Sequence, residues 1–285
     1  MMRTLLLTIV AIGLATHFAA PAPAAATIAP GADGAQKALE ASPRHGEFVD
    51  IALPGSDTKI KSWVVYPERK EKAGVVIVIH EIFGLSDWVR SVADQLAADG
   101  FIAIAPDFLS GRGPNGGGTK EIGEKNVREE IRKLSPDDVN ARIDAVRDYA
   151  LKLPAANGKF ATIGFCWGGA ASFRYATHDP KLNAAVVYYG AAPRTGEGGK
   201  QPDTEALKKI QAPVMGHYGG DDARVNATID ETKKILTDAG KSYSPHVHDG
   251  AGHGFLRQQT ERAPNKQAAE AAWPETVSFL KKNLE

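Results

Sequence analysis

The sequence has a single cysteine, Cys166, and neither an excess of one charge nor a long apolar run. One cysteine excludes an internal disulfide and any zinc site that needs two or more thiolates. Lys and Arg total 34, and Asp and Glu also total 34. Because no basic excess is available to bind phosphate groups, we expect no nucleic-acid partner. The residues that are present, 43% hydrophobic and 24% charged, are typical of a globular protein.

The first 45 residues differ in composition from the rest of the chain. Arg3 precedes an apolar run, Leu5 to Ala15, and residues 20–26 contain only alanine and proline. This pattern predicts a secretory signal peptide over residues 1–26 and a periplasmic or secreted protein. The run is shorter than the roughly 20 residues of a membrane span, so we expect no span after cleavage. An uncleaved anchor or a buried N-terminal helix is the alternative. Residues 27–45, rich in Ala, Gly and Pro, predict a mobile leader without its own core.

Strand and helix patterns alternate over residues 46–285, which we interpret as one domain. The continuous apolar run Val75 to Ile79 is typical of a strand buried on both faces. The alternation predicts an α/β fold, a mainly parallel sheet with helices on both faces, whose functional residues follow the carboxyl ends of strands. The predicted strands are 48–53, 62–66, 75–79, 101–105, 160–165, 184–188, 213–218 and 243–248. The predicted helices are 86–100, 135–153, 167–177, 225–239 and 266–283.

Cys166 lies in the segment Gly164 to Gly169, between a predicted strand and a predicted helix. The form Gly-x-Cys-x-Gly is that of a nucleophile elbow, in which the turn is so tight that only glycine fits beside the nucleophile. The start of the following helix favours a thiolate, whereas an ordinary thiol of pKa about 8.5 is only about 3% ionised at pH 7. The sequence therefore predicts a nucleophile, and the alternative is a buried cysteine that packs as a small hydrophobe.

A candidate base and a candidate acid follow later strands. His253 stands between Gly252 and Gly254, after the last predicted strand, where a general base is expected. Asp221 and Asp222 follow the preceding strand, and an acid there would orient the imidazole. The chain order nucleophile, acid, base is that of α/β-hydrolases, but spacing alone does not choose between the two aspartates. The other aspartate would cap a helix.

The histidines of the last strand offer a metal-binding alternative. His246 and His248 alternate along that strand and could share one face of it. No third ligand with metal-type spacing stands near them, so we expect no metal, and no cofactor motif is present.

The loop His80 to Gly84 follows the most buried predicted strand. In α/β-hydrolases this loop supplies one backbone donor of the oxyanion hole, and the residue after the nucleophile supplies the other. We therefore expect the N–H groups of Ile82 and Trp167 to hold the oxyanion. Glu81 is unusual in a loop that must stabilise negative charge, and a buried ion pair with an arginine is the alternative to a catalytic role.

Five segments together resemble the dienelactone hydrolases (carboxymethylenebutenolidases), a family of the α/β-hydrolase superfamily. They occur in the family's order over residues 45 to 285 and are His80–Gly84, Ala105–Asp107, Gly164–Gly169, Tyr218–Asp222 and Gly250–Phe255. The resemblance implies an α/β-hydrolase fold and a cysteine–aspartate–histidine triad, and it selects Asp222 as the acid. It also implies that Glu81 pairs with the cysteine and controls its ionisation. Arg257, four residues after the histidine, and Arg128 would hold a substrate carboxylate.

Taken together, these patterns predict a monomeric enzyme that hydrolyses a small ester or lactone through a thioester. The resemblance suggests a dienelactone-like, carboxylated enol lactone as the substrate. The export signal and the loops 111–118 and 193–202 are not family features, so the chemistry transfers more safely than the substrate. A general carboxylesterase or thioesterase would use the same residues. A non-catalytic periplasmic binding or redox-sensing module, with Cys166 as the oxidised group, is the alternative from another class.

Overall fold

The computed structural model describes residues 27–196 and 199–285, so the predicted signal peptide lies outside the described residues. Ten strands are present in these ranges. They are β1 (Gly46–Ala52), β2 (Lys59–Val65), β3 (Ala73–Ile79), β4 (Ile102–Pro106), β5 (Ala156–Phe165), β6 (Ala184–Tyr188), β7 (Arg194–Thr195), β8 (Gln201–Pro202), β9 (Val214–Gly219) and β10 (Tyr243–His248).

Eight of these strands form one sheet in the order β1-β2-β4-β3-β5-β6-β9-β10. The β1–β2 and β2–β4 pairs are antiparallel, and every other pair in this sheet is parallel. The remaining two strands, β7 and β8, form a small antiparallel pair. The predicted mainly parallel sheet is therefore confirmed.

Helices cover both faces of this sheet. They are α1 (Ala35–Ala41), α2 (Asp87–Ala98), α3 (Thr119–Ile122), α4 (Glu124–Arg132), α5 (Pro136–Ala150), α6 (Trp167–His178), α7 (Thr204–Lys208), α8 (Ala223–Asn226), α9 (Ile229–Asp238) and α10 (Ala263–Leu284). In the described ranges, none of them is long and apolar enough to cross a bilayer.

The core has two layers, one on each face of the sheet. Every residue of β3 is buried, and its side chains alternate between the layers: Ile77 packs in the layer with α5, and Val76 in the layer with α2 and α10. This alternation follows from the two-residue period of a strand. Ile143 of α5 and Trp273 of α10 are fully buried on opposite faces. The central strands are thus fixed from both sides, which holds their carboxyl ends rigidly.

Residues 27–45, for which composition predicts a mobile leader, pack on the domain instead. Ala29 and Ala35 are buried in the same layer as α2. Arg44 forms an ion pair with Asp94 of α2, and the Trp88 indole donates a hydrogen bond to Pro30 O at 3.0 Å. Small apolar side chains, a main-chain carbonyl group and an ion pair provide these contacts, and none of them produces a periodic pattern in the sequence.

Two helical regions also differ from the sequence prediction. The region predicted as one helix over 225–239 is two helices, because Ala227 and Thr228 separate α8 from α9. The region between 119 and 132, for which the residue pattern predicts no helix, contains α3 and α4. Gly123, with a φ of 76°, separates these two short and mainly polar helices.

Candidate active site

Cys166 occupies the sharp turn between β5 and α6. Its φ is 55°, a left-handed value that is uncommon for residues other than glycine. A Cβ atom on Gly164 would lie 1.9 Å from Gly168 O, and one on Gly168 would lie 2.2 Å from Ile79 O. No side chain fits at either glycine, so the two flanking glycines are what allow the backbone to turn here. The strained turn places a half-buried sulfur at the start of α6.

The surroundings of Cys166 favour the neutral thiol. Burial, and then the nearby charge of Glu81, raise the pKa of Cys166 to about 11, although the Trp167 N–H group opposes this rise. The sequence prediction that the helix start favours a thiolate therefore does not hold for this state, because burial outweighs the helix. In the part of the chain that the structure describes, no hydrogen bond joins the sulfur to His253.

His253 and Asp222 lie together after β10 and β9. Asp222 Oδ2 lies 2.5 Å from His253 Nδ1, and the Asp222 carboxylate is buried. Asp222 also caps α8, because its Oδ1 accepts a hydrogen bond from Val225 N. Asp221, in contrast, is exposed and forms an ion pair with Arg262 at 2.6 Å. Asp222 therefore both contacts the histidine and caps α8. From the sequence, one aspartate is expected to contact the histidine and the other to cap a helix.

Glu81 is buried and faces Arg257. Their Oε2 and Nε atoms are 3.0 Å apart, but they are not aligned as a hydrogen bond. Burial raises the pKa of Glu81 to about 7, and the charge of Arg257 limits that rise. The ion pair expected as the alternative for Glu81 is therefore present. Its imperfect alignment leaves both groups incompletely satisfied.

Buried polar groups fix the loop that carries Glu81 and Ile82. Phe108 N donates a hydrogen bond to His80 Nε2, so the proton of this imidazole belongs on Nδ1, which lies 2.8 Å from Glu81 O. Burial lowers the pKa of His80 and keeps the ring neutral. The peptide group between Glu81 and Ile82 is thus oriented through its carbonyl. In the described ranges the Ile82 N–H donates no hydrogen bond, which leaves it available to an oxyanion.

Thr119, the first residue of α3, fixes the same loop through hydrogen bonds. Its hydroxyl donates to Asp107 Oδ1 at 2.7 Å and accepts a hydrogen bond from Leu85 N at 3.1 Å. A Cβ on Gly84 would lie 2.2 Å from Thr119 Oγ1, so only glycine permits this close approach. Asp107, part of the Ala105–Asp107 segment, therefore acts on the loop through Thr119. Sequence reasoning missed Thr119 because its partners are 12 and 34 residues away.

Both arginines predicted to hold a carboxylate lie beside Phe83. The guanidinium carbons of Arg128 and Arg257 are each 4.8 Å from the centre of the Phe83 ring, at cation–π distance. A cavity of about 510 Å³ borders Phe83 and Arg257, and a second cavity of about 540 Å³ borders Phe83 and Arg128. The structure thus brings together two residues that are 129 positions apart in the sequence.

Tyr189 is a further residue of this region that the sequence analysis did not identify. It follows β6 with a φ of 41°, and its ring centre lies 5.2 Å from that of His253. The side chain is buried, and in the described ranges its hydroxyl has no hydrogen-bond partner. The sequence contains one indication of Tyr189: it directly follows the predicted strand 184–188, and functional residues of such folds follow the carboxyl ends of the strands.

His246 and His248, the pair considered for a metal, lie on β10 beside His217 of β9. His217 Nδ1 is 3.2 Å from His248 Nε2, and His246 Nδ1 is 3.2 Å from Glu275 Oε2. Within residues 27–196 and 199–285, no group of three or more His, Cys, Asp or Glu side chains is arranged to hold a metal ion. These histidines therefore form a polar cluster between β9, β10 and α10.

The two loops that depart from the family pattern lie in different environments. Residues 111–118 border a polar cavity of about 770 Å³ with Thr58 and Lys61, and none of the candidate catalytic residues lines that cavity. Residues 193–202 include the β7–β8 pair, and Arg194 there lies 3.9 Å from Glu231.

The fold and the site together define a class of protein. A mainly parallel sheet that carries a glycine-flanked elbow, an aspartate and a histidine in this chain order is an α/β-hydrolase. The chain belongs to the dienelactone hydrolase family, since the sequence pattern of that family matches residues 60–284. The protein is therefore an enzyme that cleaves ester or lactone bonds.

Known relatives agree with this assignment. Two proteins named "Putative carboxymethylenebutenolidase" are similar to the chain. The protein from Methylorubrum extorquens is 31% identical over 87% of this chain and 83% of its own length. The protein from Saccharolobus solfataricus is 28% identical over 82% of this chain and 98% of its own length. A crystal structure of a "Putative Dienelactone Hydrolase" from Klebsiella pneumoniae superimposes with a TM-score of 0.72 and 27% identity, and covers 84% of this chain and 99% of that one.

Proposed function

We propose that the protein hydrolyses a small, carboxylate-bearing ester or enol lactone through a Cys166–His253–Asp222 triad. The observation that carries this proposal is the 2.5 Å contact between His253 Nδ1 and the buried Asp222 carboxylate, at the same sheet edge as the elbow of Cys166. The carboxylate orients the imidazole and stabilises it when it is protonated.

The proposed reaction has two steps. The Cys166 sulfur gives its proton to Glu81 and attacks the carbonyl carbon, while the N–H groups of Ile82 and Trp167 hold the oxyanion. A thioester forms as the C–O bond of the substrate breaks, and the alcohol or enol oxygen leaves with the proton that Glu81 received from the thiol. His253 then removes a proton from water, which attacks the thioester and releases the acid and the free thiol. Catalytic hydrogen bonds are often long before substrate binds, which is consistent with the absence of a sulfur–imidazole bond in this state.

We further propose that Glu81 controls the ionisation of Cys166. In the free enzyme Glu81 pairs with Arg257, and its charge helps to keep the thiol protonated. The Glu81–Arg257 pair is imperfectly aligned, so a substrate carboxylate can compete with Glu81 for Arg257. Once Arg257 binds the substrate, Glu81 is free to accept the thiol proton. Arg128, on the same Phe83 ring, adds a second positive charge for such a substrate.

The proposal is tested on Cys166, the only thiol of the chain. We expect Cys166→Ala to abolish hydrolysis of a dienelactone while circular dichroism shows the fold unchanged. Iodoacetamide should remove activity of the parent in proportion to the one thiol alkylated. Turnover by Cys166→Ala at the parent rate would exclude the thioester. Comparing kcat/KM for a dienelactone and a neutral p-nitrophenyl ester separates the proposed substrate from a general carboxylesterase.

We also propose that the mature protein is exported. The charged start, the short apolar run and the alanine–proline stretch over residues 1–26 support this proposal. Sequencing the N-terminus of the protein recovered from a periplasmic extract tests it.

A further inference from the structure

Residues 27–34, here called the N-terminal strap, lie across the loop that follows His253. Ala32 N donates a hydrogen bond to Arg257 O at 2.8 Å. Gln259 Nε2 donates to Ala29 O at 2.7 Å, and Gln259 is itself buried. Thr260 Oγ1 donates to the Asp33 carboxylate at 2.9 Å. The strap is therefore bonded to three residues of one short loop, and the first of these is Arg257.

The other side of the strap contacts α2, the helix that follows the Glu81 loop. The Trp88 indole N–H donates to Pro30 O at 3.0 Å, and both Trp88 and Ala29 are buried. The strap thus connects the segment after Glu81 with the segment that carries Arg257. These are the two parts of the chain whose side chains meet in the Glu81–Arg257 ion pair.

The strap also borders the cavity beside Arg257. Ala32 lines the 510 Å³ cavity together with Phe83, Lys120 and Arg257. Gly31 approaches so closely that a Cβ there would lie 3.3 Å from Arg257 O. The backbone of Arg257 is consequently held from one side by the strap, while its guanidinium is held by Glu81 and Phe83.

We propose that the N-terminal strap is a positioning element that sets the selectivity of the enzyme for substrates with a carboxylate. It does so by fixing the main chain of Arg257 and by closing one side of the adjoining cavity. The strap precedes residue 60, where the match to the family pattern begins. This inference rests on the proposed function, because it assigns Arg257 to the substrate carboxylate.

The test removes one hydrogen bond of the strap from the full-length protein. Ala32→Pro deletes the N–H that donates to Arg257 O. Gln36→Pro is the matched control, because it places a proline at an exposed position in the first turn of α1, where the main-chain N–H has no partner within the helix to lose. Gly31→Ala is a second, milder variant that keeps every donor. Its Cβ would lie 2.8 Å from Asp33 Oδ1 and 3.3 Å from Arg257 O, so both the Asp33 side chain and the strap must shift slightly.

The readout compares p-nitrophenyl acetate with the anionic mono-p-nitrophenyl glutarate, which share a leaving group. For Ala32→Pro we expect the ratio of kcat/KM, anionic over neutral, to fall about three- to tenfold, the effect of one hydrogen bond. This fall should result from a higher KM for the anionic ester, while kcat/KM for the neutral ester should change less than about twofold. Gly31→Ala should lower the same ratio by a smaller factor, and Gln36→Pro should leave it unchanged.

Two kinetic results would overturn the inference. One is an unchanged ratio of kcat/KM, anionic over neutral, in Ala32→Pro and Gly31→Ala proteins that are folded. The other is an equal loss of kcat/KM on both esters together with a lower Tm, because a strap that only stabilises the fold would have that effect. Calorimetric titration with glutarate needs no turnover, and we expect Ala32→Pro to bind it about three- to tenfold more weakly than the parent. A parent that binds glutarate but hydrolyses neither ester contradicts the proposed function alone. A parent that binds no glutarate contradicts the carboxylate site on which both proposals rest, whereas equal glutarate affinities of the parent and Ala32→Pro contradict the role of the strap alone.

Discussion

Replacing Glu81 with glutamine should make the thiol of Cys166 more reactive and the enzyme slower. In the free enzyme the pKa of Cys166 is about 11, so only about 0.1% of the thiol is ionised at pH 8. Glu81 is the second largest cause of this high pKa, after burial. Glu81→Gln removes a negative charge and keeps the shape of the side chain, so we expect the thiol pKa to fall by about one unit.

The magnitude follows from the thiolate fraction. A fall of about one pKa unit raises the ionised fraction at pH 8, and hence the rate of alkylation by neutral iodoacetamide, about tenfold. Because the pKa of Glu81 is about 7, the parent carries this negative charge only above that pH. The parent and Glu81→Gln should therefore differ most above pH 8 and converge below pH 6.

The assay is the alkylation rate between pH 5.5 and 9.5, followed by mass spectrometry of the intact protein. Asp221→Asn, which removes an exposed carboxylate, serves as the control and should follow the parent curve. Hydrolysis of an anionic ester by Glu81→Gln should fall even though its thiol reacts faster, since glutamine cannot accept a proton. An alkylation rate equal to or below that of the parent at pH 8 would refute the electrostatic argument. A retained kcat would refute the role of Glu81 as the proton acceptor.

Two further predictions concern groups that position the site. Asp222→Asn should lower kcat by about 10²- to 10⁴-fold, because the imidazole loses its orienting carboxylate. Asp221→Asn should change kcat less than about twofold in the same steady-state assay, and equal losses in both variants would contradict this assignment. Thr119→Val removes the hydroxyl between Asp107 and Leu85 N. It should lower the free energy of unfolding by about 1–3 kcal/mol in urea titrations and also lower kcat. A stability loss without a change in kcat would show that Thr119 does not position the Ile82 N–H.

Local patterns in the sequence were sufficient for the elbow and for the mainly parallel sheet. Gly164 is required by its contact with Gly168 O inside the turn, whereas Gly168 is required by Ile79 O of β3. Both glycines lie within two residues of Cys166, so their spacing predicts the turn even though one of the contacts is distant in the sequence. The apolar run of β3 likewise predicts a central strand, because a strand that is covered on both faces has no polar positions.

Contacts between distant segments were not predictable from the sequence. Thr119 braces the Glu81 loop only because the fold brings α3 against Gly84, and no periodicity marks that approach. The docking of Ala29 depends on a complementary surface formed by α2 and the loop after His253. Similarly, the high pKa of Cys166 results from burial and from Glu81, a residue 85 positions earlier in the chain.

The position of β10 has a consequence for how the enzyme loses activity. β10 is the last strand at one edge of the sheet, is paired only with β9, and none of its residues is fully buried. Edge elements with few buried contacts open locally at a lower free energy than the centre of a fold. His253 follows this strand, whereas Cys166 follows β5 at the centre of the sheet. We therefore expect heat or denaturant to separate the imidazole from an elbow that is still intact, so that activity is lost before the domain melts.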